Sequence, residues 1–178
     1  LTVSAEMLEP NRLVRQISPT AVDRMPDGTF RVDMGVNFAG WVEIPVTGKP
    51  GDRIEFQFSE RPDAAMTHKL HSAYVVGPAG EGVFRNRFNY GVGRWVTIRG
   101  LAEPPAHDQV RGWLVRSDYR RAAEFECSNP LLNSIYTTTL WTFENLSLGG
   151  YVVDCPQRER MGYGGDAHST TQMALANY

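Results

Sequence analysis

Hydrophobic and polar residues alternate in short runs along the first two thirds of the chain. Successive side chains of a β-strand point to opposite faces, so a period of two predicts half-buried strands. The clearest run is Arg53–Ser59, in which Ile54, Phe56 and Phe58 share one face. Further runs of the same kind are predicted as strands at residues 30–34, 40–46, 83–88, 94–99 and 110–115.

Turn residues separate these runs. Pro-Asp-Gly at 26–28, Gly-Lys-Pro-Gly at 48–51 and Gly-Pro-Ala-Gly at 77–80 combine glycine, which tolerates a positive φ, with proline, which fixes φ. The glycine-rich segment 77–82 lacks the Lys-Ser/Thr pair of a phosphate-binding loop and is predicted to be a plain loop. Many short strands without a long helix between them predict an antiparallel β-sandwich over residues 1–116.

The pattern changes near residue 117 from a period of two to a helical period. Ser128 or Asn129 can cap a helix, and Pro130 suits its first position. The predicted helix ends at a Gly-Gly pair at 149–150, and a second helix is predicted from near Asp166 through Leu175. The apolar residues at helical spacing in the first helix are Leu131, Leu132, Ile135, Leu140 and Phe143. Two helices cannot close an all-α domain, so residues 117–178 are expected to begin a larger one.

The composition of the chain excludes few functions, and it argues mainly against partners that bind through opposite charge. The 178 residues carry a formal net charge of −2, which predicts no general attraction to nucleic acid or anionic membranes. No apolar run is long enough for a membrane span. The chain starts without Met, so a processed or trimmed N-terminus is expected, and the compartment stays open between extracellular, periplasmic and cytoplasmic.

Cys127 and Cys155 are predicted to be buried free thiols, and no metal-ligand spacing occurs.

Residues 154–166 concentrate chemically active side chains. The stretch is Asp-Cys-Pro-Gln-Arg-Glu-Arg-Met-Gly-Tyr-Gly-Gly-Asp, with three carboxylates, two guanidinium groups, an amide and an aromatic ring. Pro156 and three glycines predict a loop between the two helices. Carboxylates and Arg bind sugar hydroxyls, an aromatic ring supplies a flat wall, and a carboxylic acid can protonate a departing glycosidic oxygen. From spacing alone, the default interpretation is still a solvated interhelical loop with local ion pairs.

The same stretch resembles the signature of bacterial and fungal α-L-rhamnosidases, glycoside hydrolase family 78. That signature is Asp-Cys-Pro-Gln-Arg followed by Glu-Arg, a Gly-aromatic pair and Gly-Asp. Segment 125–136 is similar to the family's approach to its catalytic helices, and segments 34–41 and 87–91 resemble its β-sandwich domain. The resemblance covers the chain from about residue 25 onward.

The resemblance implies a concanavalin-like or jelly-roll β-sandwich followed by an (α/α)6 barrel that hydrolyses terminal α-L-rhamnosides with inversion. It implies Glu159 as general acid, and Asp154, Arg158, Tyr163 and Asp166 as residues that bind the sugar. The implied partners are rhamnose-containing oligosaccharides, polysaccharides or glycosides, and that chemistry requires no cofactor. Many members carry an acidic residue between the Arg and the Glu, and Tyr163 replaces a frequent Trp. These two differences from the family signature are expected to affect which sugar is bound.

An inverting enzyme needs a second carboxylate roughly 6.5–9.5 Å from the acid. In the family this base is a glutamate far downstream, and neither Glu144 nor Asp166 matches its pattern. The chain is therefore expected to be a fragment, inactive alone, whose base lies beyond Tyr178 in the remainder of the barrel. Three alternatives stay open: an inverting hydrolase of another sugar specificity, a carbohydrate-binding β-sandwich without catalysis, and a purely structural domain.

Several other residues favour structural interpretations. Trp41 and Trp95 lie in strand patterns and are predicted to pack in the core, with a sugar-stacking platform as the alternative. His68 and His71 are predicted to be solvated histidines rather than metal ligands. The sequence Asn145-Leu146-Ser147 has the form of a glycosylation site but falls at a helix end, so it is given no weight.

Overall fold

The computed structural model describes residues 3–5, 7–63 and 70–178. The chain divides into two compact units, one formed by residues 15–114 and the other by residues 1–14 together with 115–178. This division runs through the first and the eighth strand rather than between elements. The domain boundary between residues 116 and 117 stays a prediction.

Eight strands of the described residues form one large sheet. Its eight strands are β1 (Asn11–Ile17), β2 (Ala21–Arg24), β3 (Phe30–Thr47), β4 (Arg53–Ser59), β5 (His71–Val75), β6 (Glu81–Arg85), β7 (Gly91–Arg99) and β8 (Arg111–Ser117). The strand order is β1-β8-β3-β7-β4-β5, and both β2 and β6 also pair with β3. The pairings of β3 with β2, β6, β7 and β8 are antiparallel, as are those of β4 with β5 and β7. The predicted antiparallel β architecture is confirmed.

Strand β3 joins two runs that the sequence pattern separates. Residues 30–34 and 40–46 were predicted as two strands, but they belong to one strand of 18 residues. The register with β7 shifts between Asp33 and Phe38, and Gly35 has a φ of +74°. The backbone N–H of Gly35 donates to Asp33 Oδ1 at 2.7 Å, which supports this bulge. A bulge changes which residues face the core, so it interrupts the period of two without ending the strand.

The core lies on one face of the strands, as the alternation predicts. Ile54, Phe56 and Phe58 are buried, with 0%, 0% and 6% of their surface exposed. The prediction that Trp41 and Trp95 pack in the core is wrong, because both lie half-buried on the opposite face. Their neighbours Val42 and Val96 take the core positions, and the guanidinium groups of Arg85 and Arg94 lie 5.5 Å and 4.6 Å from the two tryptophan rings.

Strand β6 differs from its prediction at both ends. It covers Glu81–Arg85, so it begins inside the predicted loop 77–82 and ends before residue 88. Its pairing with β3 ends where Arg85 lies opposite Glu43, and Phe88 is fully exposed. The strands β1, β2 and β5 were not predicted, because apolar and polar residues alternate poorly along them. All three nevertheless pair with neighbouring strands of the sheet. His71 is the exposed first residue of β5, and His68 lies outside the described residues.

The second unit contains two helices and a short hairpin: α1 (Pro130–Leu146), β9 (Ser147–Leu148), β10 (Tyr151–Val152) and α2 (Gly164–Asn177). Asn129 caps α1 as predicted, accepting from the Leu131 N–H at 3.0 Å. The helix ends before the glycine pair, because Gly149 and Gly150 have φ values of +71° and +82° and form the hairpin turn. Of the apolar residues at helical spacing in α1, Leu140 and Phe143 are buried, whereas Leu131, Leu132 and Ile135 are exposed.

No helix of the described residues has the length and apolar character that crossing a membrane requires.

Candidate active site

The segment singled out in the sequence forms a closed loop between β10 and α2. Its two ends meet where the backbone N–H of Asp154 donates to the Met161 carbonyl at 2.9 Å. The Met161 N–H in turn donates to Asp154 Oδ1 at 3.1 Å. The predicted loop is confirmed, but it is shorter than predicted because α2 begins at Gly164.

A tight reversal at the tip of the loop sets the direction of Glu159. The Cys155 carbonyl accepts from the N–H of Arg158 at 3.3 Å and from that of Arg160 at 3.2 Å. Arg160 has a φ of +60°, a left-handed conformation that is unfavourable for a residue with a Cβ and recurs at functional sites. Its Nε donates to the Pro156 carbonyl at 2.7 Å, which holds this conformation.

The carboxylate of Glu159 lies between a phenol and a guanidinium group. The Tyr163 hydroxyl donates to Glu159 Oε2 at 2.8 Å, and Arg158 Nη2 lies 3.5 Å from Oε1. The Glu159 side chain is 42% exposed, so solvent reaches it. The pKa of Tyr163 is raised, because an ionised phenolate would face the carboxylate to which its hydroxyl donates. Tyr163 is therefore a hydrogen-bond donor at neutral pH.

Asp154 and Arg158 form an anion and cation pair beside Glu159. The Asp154 side chain is 14% exposed, and its Oδ2 lies 3.8 Å from Arg158 Nη2. The pKa of Asp154 is lowered, first by the hydrogen bond from the Cys155 thiol and then by the backbone N–H of Met161. The pKa of Arg158 is raised by its hydrogen bond to Cys155 and by the nearby acidic groups. Both residues are charged at neutral pH and suit the binding of hydroxyl groups.

Cys155 makes contacts that the sequence pattern did not predict. Both cysteines are free, but the prediction that they are buried is wrong, because each is only partly buried. The Cys155 Sγ contacts Asp154, Arg158 and the backbone of Glu159. The sequence carried one indication of these contacts, because Cys155 follows an acidic residue and precedes an arginine by three positions. Such a polar setting is unusual for a thiol that only packs in a core.

Asp166 makes no hydrogen bond or ion pair with the other predicted site residues in the part of the chain that the structure describes. It lies in the first turn of α2, where a carboxylate interacts favourably with the helix dipole. Among the described residues no hydrogen bond or ion pair joins its carboxylate to Asp154, Arg158, Glu159 or Tyr163. The structure therefore brings together four of the five predicted site residues.

Glu144 is engaged elsewhere in this unit. It accepts a hydrogen bond from the Tyr178 hydroxyl at 2.8 Å, and its Oε2 lies 3.8 Å from Arg116 Nε. Its side chain is 17% exposed. Asn145 is also buried and donates to the Trp141 carbonyl at 2.7 Å. Within residues 3–5, 7–63 and 70–178, no three His, Cys, Asp or Glu side chains are arranged to hold a metal ion.

Two family models match consecutive parts of the chain. Residues 23–116 match the bacterial alpha-L-rhamnosidase concanavalin-like domain, and residues 120–178 match the bacterial alpha-L-rhamnosidase 6 hairpin glycosidase domain. The chain belongs to the bacterial α-L-rhamnosidase family, glycoside hydrolase family 78. The family match confirms the predicted fold class, a concanavalin-like β domain followed by the start of a helical glycosidase domain.

Individual relatives agree with the family assignment. The chain is 30% identical to an α-L-rhamnosidase of Formosa agariphila over 99% of its own length and 20% of that protein. The structure of α-L-rhamnosidase from Dictyoglumus thermophilum is similar with a TM-score of 0.88 and 29% identity, over 97% of this chain and 21% of that one. The native enzyme from Aspergillus terreus gives a TM-score of 0.85 and 29% identity, over 96% and 21%. The chain thus spans about a fifth of the length of these relatives.

Proposed function

We propose that the protein containing this chain is an inverting α-L-rhamnosidase, and that residues 1–178 supply its general acid but not its base. The observation that carries the proposal is the Glu159 carboxyl, which is exposed and held by Tyr163 beside Arg158 and Asp154. This cluster lies in the segment that matches the family's glycosidase domain. The relatives are named α-L-rhamnosidases, which supports a rhamnose-containing glycoside as substrate.

In the proposed reaction Glu159 protonates the glycosidic oxygen as the bond from that oxygen to the anomeric carbon breaks. A water molecule attacks the anomeric carbon from the opposite face, and the base takes its proton. Protonation matters because a sugar or alcohol leaves poorly as an alkoxide, and a positioned acid contributes about 10²–10⁴-fold in rate. Tyr163 donates to Oε2, so the delivered proton is assigned to Oε1, which has Arg158 Nη2 3.5 Å away as its neighbour.

The charged groups around Glu159 are assigned to substrate binding. Arg158 is a fixed cation and Asp154 a fixed anion, so together they can donate to one sugar hydroxyl and accept from another. Tyr163 forms a side of the same cluster through its ring. Asp166 is assigned to rhamnose binding only through its match to the family signature. The base is assigned to the four fifths of the relatives' length that this chain does not span.

The experiment that tests the proposed reaction is hydrolysis of an aryl α-L-rhamnoside by the full-length protein, followed by proton NMR of the anomeric signals. Inversion predicts β-L-rhamnose as the first product, which then mutarotates. First appearance of the α anomer would contradict inversion, and absence of rhamnose release would contradict the activity. Sugar binding without release, retained in Glu159→Gln, would instead support a carbohydrate-binding module.

A further inference from the structure

The sulfur of Cys155 contacts three residues of the candidate active site at once. Its Sγ donates to Asp154 Oδ2 at 2.7 Å, and it accepts from Arg158 Nε at 3.3 Å and from the Glu159 backbone N–H at 3.4 Å. A thiol has one hydrogen to donate and a sulfur that accepts weakly. The three contacts therefore use both the donor and the acceptor capacity of this side chain.

We propose that Cys155 is a positioning residue for glycoside hydrolysis, and that its thiol holds Asp154, Arg158 and the peptide of Glu159 in their working geometry. The inference rests on the proposed function, because it assigns the thiol to the same acid and the same sugar-binding groups. It also predicts that a hydroxyl group can replace the thiol, whereas a methyl or isopropyl group cannot.

The contact with the Glu159 peptide is the one that affects the acid directly. A hydrogen bond to the backbone N–H fixes the orientation of that peptide plane, and with it the direction in which the Glu159 side chain leaves the chain. The adjacent left-handed residue Arg160 makes this part of the loop conformationally costly. Displacement of a reacting group by about 1 Å can lower a rate by about 10²-fold, so a fixed peptide is functionally significant.

The thiol also connects two charges that do not contact each other closely. Asp154 Oδ2 and Arg158 Nη2 are 3.8 Å apart, which is beyond hydrogen-bond distance. Cys155 lies between them as donor to the anion and acceptor from the cation. The lowered pKa of Asp154 and the raised pKa of Arg158 both have this sulfur as their first cause. Removing it would take away one of the contacts that hold each side chain, leaving Asp154 with the Met161 N–H and Arg158 with its ion pairs to Asp154 and Glu159.

Cys127 supplies a matched control within the same chain. It is also free and partly buried, but its Sγ lies 3.6 Å from the Asn129 carbonyl at the start of α1. Loss of this thiol removes the same atoms without touching the loop. A general effect of cysteine removal on stability or expression would therefore appear in Cys127→Ala as well as in the Cys155 variants.

The test compares two substrates in the full-length protein. A dinitrophenyl α-L-rhamnoside releases a strongly acidic phenol that leaves without a proton, whereas a phenyl α-L-rhamnoside needs protonation by the acid. If Cys155 positions Glu159, Cys155→Ala should lower kcat on the phenyl substrate by about 10–100-fold and on the dinitrophenyl substrate by less than about threefold. Cys155→Ser should stay within about threefold of wild type on both substrates, because its hydroxyl donates and accepts like the thiol.

Each result has a distinct meaning. An equal loss of kcat on both substrates in Cys155→Ala, no loss at all, or a loss in Cys155→Ser as large as in Cys155→Ala would overturn the positioning of Glu159 by the thiol. Loss of the contacts with Asp154 and Arg158 is measured separately, as a rise in KM on both substrates. If the alanine variant does not fold by circular dichroism, Cys155→Val fills the space of the thiol without hydrogen bonds and is judged by the same ratio. Absence of turnover in the wild type would instead overturn the proposed function, and it is scored before any variant is compared.

Discussion

Replacing Phe56 with Ala tests the packing of the unit formed by residues 15–114. The Phe56 side chain is 0% exposed, and its ring stacks on that of Phe84 with centroids 3.9 Å apart and planes inclined by 10°. A buried Phe→Ala substitution costs roughly 3–5 kcal/mol, because apolar burial is lost and a cavity remains. The lost ring stacking accounts for about 0.5–1.5 kcal/mol of that sum.

Differential scanning calorimetry measures this loss. Each kcal/mol shifts Tm by roughly 2–4 °C for a chain of this size, so Phe56→Ala should lower Tm by about 6–20 °C. Phe88→Ala is the matched control: Phe88 is 103% exposed, and its removal should change stability by less than about 0.5 kcal/mol. Equal melting temperatures of the two variants would refute the assignment of Phe56 to a packed core and Phe88 to the surface.

Two further predictions follow from buried or paired polar groups. Asp33→Asn should lower Tm near pH 7, and this loss should shrink as the pH falls below 3.8, because the hydrogen bonds from Arg94 lower the pKa of Asp33. Stability from a lowered carboxyl pKa is present above the unfolded value and is lost as the pH falls through the folded one, so a loss of Tm that stays constant as the pH falls would contradict the ion pair. Asn145 should carry no glycan after secretion from a eukaryotic host, because it is 8% exposed and donates to the Trp141 carbonyl. Peptide mass spectrometry showing a glycan there would refute its burial.

The fold was predictable where one physical pattern dominates. Alternation of apolar residues located β4 and its buried face, and the Asn129-Pro130 pair located the start of α1. The β3 bulge could not be predicted, because it depends on pairing with β7 at residues far away in the sequence. The two tryptophans were misplaced because hydrophobicity indicates burial in general, while the register of the strand decides which face each side chain takes.

The candidate site divides in a similar way. The signature from residue 154 to residue 166 predicted an acid and the charged groups around it, and the structure brings Asp154, Arg158, Glu159 and Tyr163 together, while their roles stay predictions. The sequence signalled only a polar setting for Cys155, and its contacts could not be predicted because they depend on a turn that directs three polar groups toward one sulfur. The hydrogen bond from Tyr163 to Glu159 was missed for the same reason, since the sequence does not show which acceptor the tyrosine hydroxyl contacts.

The most direct test of the central claim is kcat for hydrolysis of phenyl α-L-rhamnoside by the full-length protein and its Glu159→Gln variant. Loss of the general acid predicts a fall of about 10²–10⁴-fold, with a much smaller fall on the dinitrophenyl substrate. Glu124→Gln makes the same chemical change at an exposed position outside the loop and should keep wild-type turnover. Wild-type kcat in Glu159→Gln on the phenyl substrate would contradict the assignment of the general acid.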